Sequence, residues 1–146
     1  MRIVNRLIWM LMAACFAASL AAQTTAPKLS SADARAVKTV VQAQLDAFAA
    51  DDARRAFSFA APGIKAQFQT PENFMAMVRA AYPMVYRPTS VAFLKPEQQD
   101  DSVIQKVHMT DQKGRRWVAL YSLNREQTKA WRISGCIVLP VNTQST

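Results

Sequence analysis

Residues 80–90, AAYPMVYRPTS, mark the point at which the sequence changes from a helical to a strand pattern. Before them, apolar residues recur at intervals of three and four from Phe74 to Val78, as on the buried face of a helix. After them, apolar and polar residues alternate, as on a strand with one buried face. Proline disfavours helical geometry in the residue before it, so Pro83 and Pro88 are predicted to end a helix and lead into the first strand.

Two further helices are predicted upstream of this joint. The first starts at Ser30-Ser31-Ala32-Asp33, with a serine cap and an aspartate in the first turn, and carries an apolar stripe as far as Phe48. The second follows Asp51-Asp52 and ends at Pro62-Gly63. The helix that ends at the joint is the third, and it begins at Thr70-Pro71, a capping hydroxyl followed by a proline at the first helical position. The N-terminal half is therefore predicted to contain three helices.

The C-terminal half is predicted to contain four strands, at residues 91–94, 103–110, 115–123 and 131–139. A polar loop at residues 96–101 and a hairpin turn at residues 111–114 separate the first three. Connections this short join antiparallel neighbours. Because the helices precede all the strands, the sequence predicts an α+β fold, with three helices packed on one face of a curved four-stranded antiparallel sheet.

Alternation along the strands predicts which side chains face the core. In the second strand, Val103, Val107 and Met109 are predicted to point inward and His108 outward. In the last strand, Trp131, Ile133, Ile137 and Leu139 are predicted to share one face, and Cys136 to lie on the other. The third strand is apolar on both faces, which fits either a strand covered on both sides or a second copy of the chain. A homodimer through the sheet is thus one prediction.

The first 22 residues have the pattern of an export signal. Arg2 and Arg6 precede an apolar run from Leu7 to Ala18, and small residues follow as far as Ala22. The run is shorter than the roughly 20 residues that span a bilayer, although a retained anchor and a lipoprotein attached at Cys15 stay open as alternatives. We expect a periplasmic or secreted protein with no membrane span after cleavage. Residues 23–29 are predicted to be a disordered leader, residues 30–140 one domain and residues 141–146 a tail.

The net charge of the chain limits the classes of binding partner that we expect. The chain has 18 Lys and Arg residues against 10 Asp and Glu, a formal charge of +8, and loss of the two signal arginines leaves +6. The excess is scattered, and no basic run carries interleaved aromatic residues, which argues against nucleic-acid binding. A structural envelope protein, held to an anionic surface by its charge, stays open as one alternative.

Residue content also argues against metal and cofactor chemistry. His108 is the single histidine, and cleavage would leave Cys136 as the single cysteine, so no disulfide, metal site or cofactor is predicted. A meander places the third strand between these two residues, so their strands lie about 10 Å apart, too far for a thiol–imidazole pair. Asp46, beside the apolar stripe of the first helix, is the one carboxylate predicted to reach a cavity, where it would act as an acid or base.

The joint at residues 80–90 is itself a candidate binding site. Tyr82, Tyr86 and Arg87 would lie at the rim of the sheet. Two hydroxyls and a forked cation there would suit a ligand carboxylate or phosphate. The purely structural alternative is that these residues only join the helices to the sheet.

Four blocks of the sequence resemble a known family: VVQAQLDAFAADDARRAFSFAAPGI, FMAMVRAAYPMVYRPTSVAF, WVALYSLNRE and WRISGCIVLP. Over residues 33–140 the chain resembles an exported bacterial domain of unknown function, family 4864, which looks like a branch of the nuclear-transport-factor-2-like (SnoaL-like) superfamily. The resemblance implies a cone in which three helices are wrapped by a bent antiparallel sheet around a pocket. It also implies pocket or core positions for Tyr82, Tyr86, Arg87, Trp117, Tyr121 and Trp131.

The superfamily includes enzymes and pure binding modules, so the resemblance does not decide the function. Its catalytic members resemble one another in an aspartate paired with a histidine or tyrosine, and Asp46 and His108 do not match that pair. We therefore expect a non-catalytic exported module that binds a small apolar or anionic ligand or pairs with a second copy. The alternative is an isomerase, dehydratase or hydrolase that uses Asp46 or a tyrosine as proton carrier.

Overall fold

The computed structural model describes residues 28–141, in which helices precede an antiparallel sheet, so the predicted α+β class is confirmed. The predicted signal peptide, most of the leader and nearly all of the tail lie outside the described residues. The helices are α1 (Ser31–Ala49), α2 (Ala53–Ser58), α3 (Pro62–Phe68), α4 (Pro71–Ala81) and α5 (Pro83–Tyr86). The strands are β1 (Ser90–Phe93), β2 (Glu97–Gln99), β3 (Ser102–Thr110), β4 (Arg116–Arg125) and β5 (Trp131–Pro140).

The helical half has five helices within the described range, where three were predicted. Pro62 begins α3 instead of ending α2, because a proline at the first helical position has no N–H to lose. The second helix already ends at Ser58, and the loop after it pairs with Ile133 of β5. Pro83 likewise begins the single turn of α5, while Tyr82 before it has left helical geometry.

The sheet has five strands in the described residues, where four were predicted, in the order β1-β3-β4-β5. The additional strand β2 pairs with residues 102–104 of β3, and β1 pairs with residues 107–110 along the same edge. β2 falls within the segment predicted as a polar loop. Its residues Glu97, Gln98 and Gln99 show no apolar alternation, so only their hydrogen bonds to β3 identify them as a strand.

The predicted inward and outward faces are correct in β3 and wrong in the second half of β5. Trp131 and Ile133 are buried, whereas Ile137 is 62% and Leu139 49% exposed. The β4–β5 register shifts after the pair of Leu123 with Ile133, which leaves Ser134 as an extra residue. Because side chains alternate, one inserted residue reverses the face of every residue that follows. Cys136 and Val138 therefore pack against the core, and Ile137 and Leu139 point outward.

The core lies between the helices and the inner face of β3, β4 and β5. Its centre on the helical side is Phe74 of α4, whose ring lies 6.0 Å from that of Phe48, 5.4 Å from that of Phe57 and 5.6 Å from that of Phe68. These distances are typical of tilted and edge-to-face aromatic pairs. One phenylalanine from each of α1, α2 and α3 thus meets Phe74, which holds the four helices together.

Candidate functional site

A cavity of about 430 Å³ lies between the helices and the inner face of the sheet. This volume is within the range of roughly 300–1,000 Å³ that is typical of small-molecule sites. Most of the side chains that form its walls are apolar and come from both the helices and the sheet: Phe48, Ile64, Phe68, Phe74, Met77, Val78, Ala81, Val85 and Ile133.

The polar residues of the cavity wall are few, and none of the residues described around it is charged. They are Gln44, Gln67, Tyr82, Tyr121, Ser134 and Cys136. Gln44 is buried, and its side-chain amide donates a hydrogen bond of 3.1 Å to the carbonyl of Ala56. This hydrogen bond fixes the orientation of the Gln44 side chain.

Tyr121 is the most unusual of these polar residues. Its hydroxyl has almost no exposed surface and makes no hydrogen bond to a nitrogen or oxygen atom in the described part of the chain. Burial raises its pKa well above the usual value, and the charge of the nearby Cys136 thiol and a hydrogen bond with it raise that pKa further. Because it has so little exposed surface, the hydroxyl is closed to molecules in the cavity.

Cys136 lies directly opposite Tyr121 in the β4–β5 ladder and also lines the cavity. Burial raises the pKa of its thiol to about 12, so Cys136 is protonated at neutral pH and is a poor nucleophile. His108 is exposed on the outer face of β3. The thiol and the imidazole therefore lie on opposite faces of the sheet, which excludes a pair between them.

Tyr86 and Arg87, predicted as binding residues, contact Asp51 in the turn between α1 and α2. Arg87 Nη2 donates to Asp51 Oδ2 at 2.8 Å, Arg79 Nη2 donates to Oδ1 at 2.9 Å, and the Tyr86 hydroxyl also donates to Oδ1. The hydrogen bond from Tyr86, followed by that from Arg79, lowers the pKa of Asp51. The joint therefore holds the α1–α2 turn against α4 and α5, and neither Tyr86 nor Arg87 lines the cavity.

Trp117, a further residue for which the family resemblance implied a pocket or core position, belongs to the β3–β4 hairpin. Its indole N–H donates to Asp111 Oδ2 at 3.0 Å, and the same carboxylate accepts from the backbone of Lys113 and from both the backbone and the side chain of Arg115. Burial alone would raise the pKa of Asp111, but these hydrogen bonds outweigh it and lower that pKa to about 2. The side chain of Trp117 therefore stabilises the hairpin turn and does not line the cavity.

Protonation of Asp111 is expected to weaken the fold in acid. Its folded pKa of about 2 lies below the ordinary 3.8, so the carboxylate stabilises the fold above pH 3.8 and loses this contribution as the pH falls towards 2. We expect the urea midpoint of the wild type to fall more steeply over this interval than that of Asp111→Asn. Asparagine keeps an acceptor oxygen but does not titrate. Two parallel curves would contradict this prediction.

Asp46, the predicted acid or base, is exposed and accepts a hydrogen bond of 2.9 Å from Gln42 of the preceding turn. It does not line the cavity. The structure thus brings Tyr82 and Tyr121 to the cavity and places Asp46, Tyr86, Arg87 and Trp117 elsewhere.

Sequence reasoning missed Gln44, Ser134 and Cys136 as cavity residues. For Gln44 a signal exists, because it is the one polar residue at helical spacing within the apolar stripe of α1, between Val41 and Phe48. For Ser134 and Cys136 no local signal exists, because their positions depend on the bulge.

Residues 28–141 contain no group of three or more His, Cys, Asp or Glu side chains placed to hold a metal ion. Over the same residues, no helix combines the length and the apolar composition needed to cross a membrane.

Fold and cavity together define an α+β domain whose helices and antiparallel sheet form a mostly apolar cavity, lined by no charged side chain among residues 28–141. The chain belongs to the family described as a domain of unknown function (DUF4864), whose family model matches residues 30–146. The resemblance to this family is thereby confirmed. Comparison with curated proteins and with solved structures gives no match.

Proposed function

We propose that this protein is an exported binding module that holds a small, mostly apolar molecule in the cavity between its helices and its sheet. The observation that carries this proposal is a cavity of about 430 Å³ whose wall is mostly apolar and, among the described residues, carries no charged side chain. A site of this size and composition suits a small, mostly apolar molecule.

The proposed architecture is the cone of the nuclear-transport-factor-2-like superfamily. Helices on one face of an antiparallel sheet support it, as does the cavity between the two layers. The proposed export rests on the signal-like pattern of residues 1–22, with Arg2 and Arg6 before the apolar run.

Binding without catalysis is supported by the chemistry of the cavity wall. A general acid or base needs a group that exchanges a proton near neutral pH. The described lining residues include no carboxylate and no imidazole. Tyr121 and Cys136 both have raised pKa values and keep their protons. The enzyme alternative would need Asp46 or a tyrosine as proton carrier. Asp46 is exposed and lies outside the cavity, and the hydroxyl of Tyr121 is fully buried.

A retained ligand would test the proposal directly. We expect native mass spectrometry of the protein, purified from its own host, to show a mass above that of the polypeptide, which disappears on denaturation. The released compound is expected to be smaller than the cavity and soluble in organic solvent. Native protein that shows only its polypeptide mass, and that binds no small apolar probe in solution, would contradict the proposal.

A second candidate function, pairing of two copies through the sheet, is favoured by the outer face of β4 and β5. Leu120 opposes Ile137, and Val118 opposes Leu139, so the two exposed residues of β5 extend an apolar patch.

In the described residues, the free edge of β5 pairs with the chain only at Ile133. Residues 135–139 carry no charge and no proline to protect that edge. We propose a second copy as the partner, because an antiparallel edge strand can pair with itself about a two-fold axis.

Ile137→Lys tests this pairing, because it places a charge at the centre of the proposed interface. We expect static light scattering at high micromolar concentration to show a dimer for the wild type and a monomer for the variant. Leu94→Lys is the matched control, since Leu94 is an exposed apolar residue beyond β1 on the far side of the sheet, and this variant should stay dimeric. A monomeric wild type would remove this second candidate.

A further inference from the structure

We infer that the cavity takes a single-chain amphiphile, with its alkyl chain between the helices and the sheet and its head group at the solvent-facing end of the cavity. This inference rests on the proposed function and adds the chemical class and the orientation of the ligand. The observation that carries it is a change along the cavity wall, from buried apolar residues to exposed and polar ones.

One face of α4 shows the direction of this change. Phe74, Val78 and Ala81 are three and four positions apart, so they share one helix face, and all three line the cavity. Phe74 and Val78 are buried, whereas Ala81, the last residue of the helix, is exposed. Tyr82, the next residue, also lines the cavity and is half-buried. The cavity therefore runs along α4 from the core towards solvent and meets water near Ala81.

The buried part of the cavity suits an alkyl chain, because it offers few polar groups to a ligand. The side-chain amide of Gln44 already donates to the carbonyl of Ala56, and the hydroxyl of Tyr121 is closed to the cavity. A polar or charged group placed there would lose its water and find few partners, which costs free energy. An alkyl chain has no polar group to lose, and its burial is favourable.

The exposed end of the cavity suits a head group. A wholly apolar ligand would leave its outer end in water, which is unfavourable for apolar surface. A head group at that end stays hydrated, and the phenol of Tyr82 can donate or accept a hydrogen bond there. No charged side chain is among the residues described around the cavity. The chain therefore determines the affinity, and the charge of the head group has little effect on it.

Five compounds test the class of ligand. 1-Hexanol, 1-octanol and 1-decanol vary the chain, and decanoate and decyltrimethylammonium vary the charge of the head group. Affinities are measured by titration calorimetry below the micellar concentration, at physiological salt, with amide shifts of Ser134, Gly135 and Cys136 to show that the cavity is occupied. We expect the affinity of the alcohols to rise roughly fourfold for each methylene added. Both ions should bind within about fivefold of 1-decanol, because their head groups stay in water.

Ala81→Lys and Ala81→Glu test the orientation, because they place opposite charges at the solvent-facing end. Relative to 1-decanol, decanoate should bind about two- to fivefold more tightly to the lysine variant and more weakly to the glutamate variant. Decyltrimethylammonium should show the reverse. Ala80→Lys and Ala80→Glu are the matched controls, since Ala80 is exposed on the same helix but does not line the cavity. Equal effects at the two positions would overturn the inferred orientation.

The remaining outcomes separate the inference from the proposed function. If naphthalene shifts the amides of Ser134, Gly135 and Cys136 but affinity does not rise with chain length, the binding function stands and the inferred class is wrong. The same conclusion follows if either ion binds more than tenfold more weakly than 1-decanol, because the head group would then be enclosed. If neither naphthalene nor any alkyl compound shifts these amides, the proposed function and the inference both fail.

Discussion

Replacing Ala81 by tryptophan is expected to lower the affinity for a small apolar probe such as naphthalene by on the order of a hundredfold while leaving the fold intact. Ala81 is the last residue of α4, it is exposed, and it lines the cavity. It therefore lies where the cavity meets solvent. An indole ring at this position would occupy the space that a ligand needs, without displacing any buried side chain.

Ala80→Trp is the matched control, because Ala80 is also exposed on α4 but does not line the cavity. Both variants add the same ring to neighbouring residues of one helix, so general effects on solubility and helix propensity should cancel. The measurement is titration calorimetry, with circular dichroism to show that both variants fold. Equal affinity in the Ala81 variant and the wild type would place the ligand site elsewhere and remove the main support for the proposed function.

Truncation of Phe74 is expected to have the largest effect on stability. Phe74→Ala should lower the free energy of unfolding by about 3–5 kcal/mol, the range for a buried phenylalanine that leaves a cavity. Its ring contacts Phe48, Phe57 and Phe68, so one substitution weakens the contacts of α4 with α1, α2 and α3. Urea unfolding followed by circular dichroism measures the loss.

Phe93→Ala is the control for this substitution, because Phe93 lies on β1 and is only partly buried. It removes the same atoms from a position where solvent already covers part of the ring, so its loss should be less than half as large. Similar losses in the two variants would show that the phenylalanine cluster is not the centre of the helical layer.

The order of elements could be predicted from the sequence because it depends on local signals. Thr70 and Pro71 start a helix, and Pro83 and Pro88 bracket the change to strands, through steric effects on neighbouring residues alone. The hairpin at residues 111–114 was likewise recognisable from its turn residues. The number of elements was wrong, because α3, α5 and β2 have seven, four and three residues, too few to show a period.

The candidate site was less predictable than the fold. Tyr121 was singled out by family resemblance, and only the structure shows that its hydroxyl is fully buried and that it lies opposite Cys136. Tyr86 and Arg87 have the residue types of an anion site, yet their partner Asp51 lies 35 and 36 positions earlier in the chain. Residue type shows what a side chain can bind, whereas its actual partner depends on which distant segment packs beside it.

The sequence by itself determined the α+β class, the succession of helices and then strands, and the inner face of β3, because each follows from steric preference or side-chain period within a few residues. Only the tertiary structure decided that Ile137 and Leu139 point outward, that Cys136 joins Tyr121 at the cavity, and that the described part of the cavity wall has no charged side chain. These features depend on one extra residue in the β4–β5 ladder and on the packing of separate elements. Both are set by hydrogen bonds and contacts between residues distant in sequence, which no local pattern records.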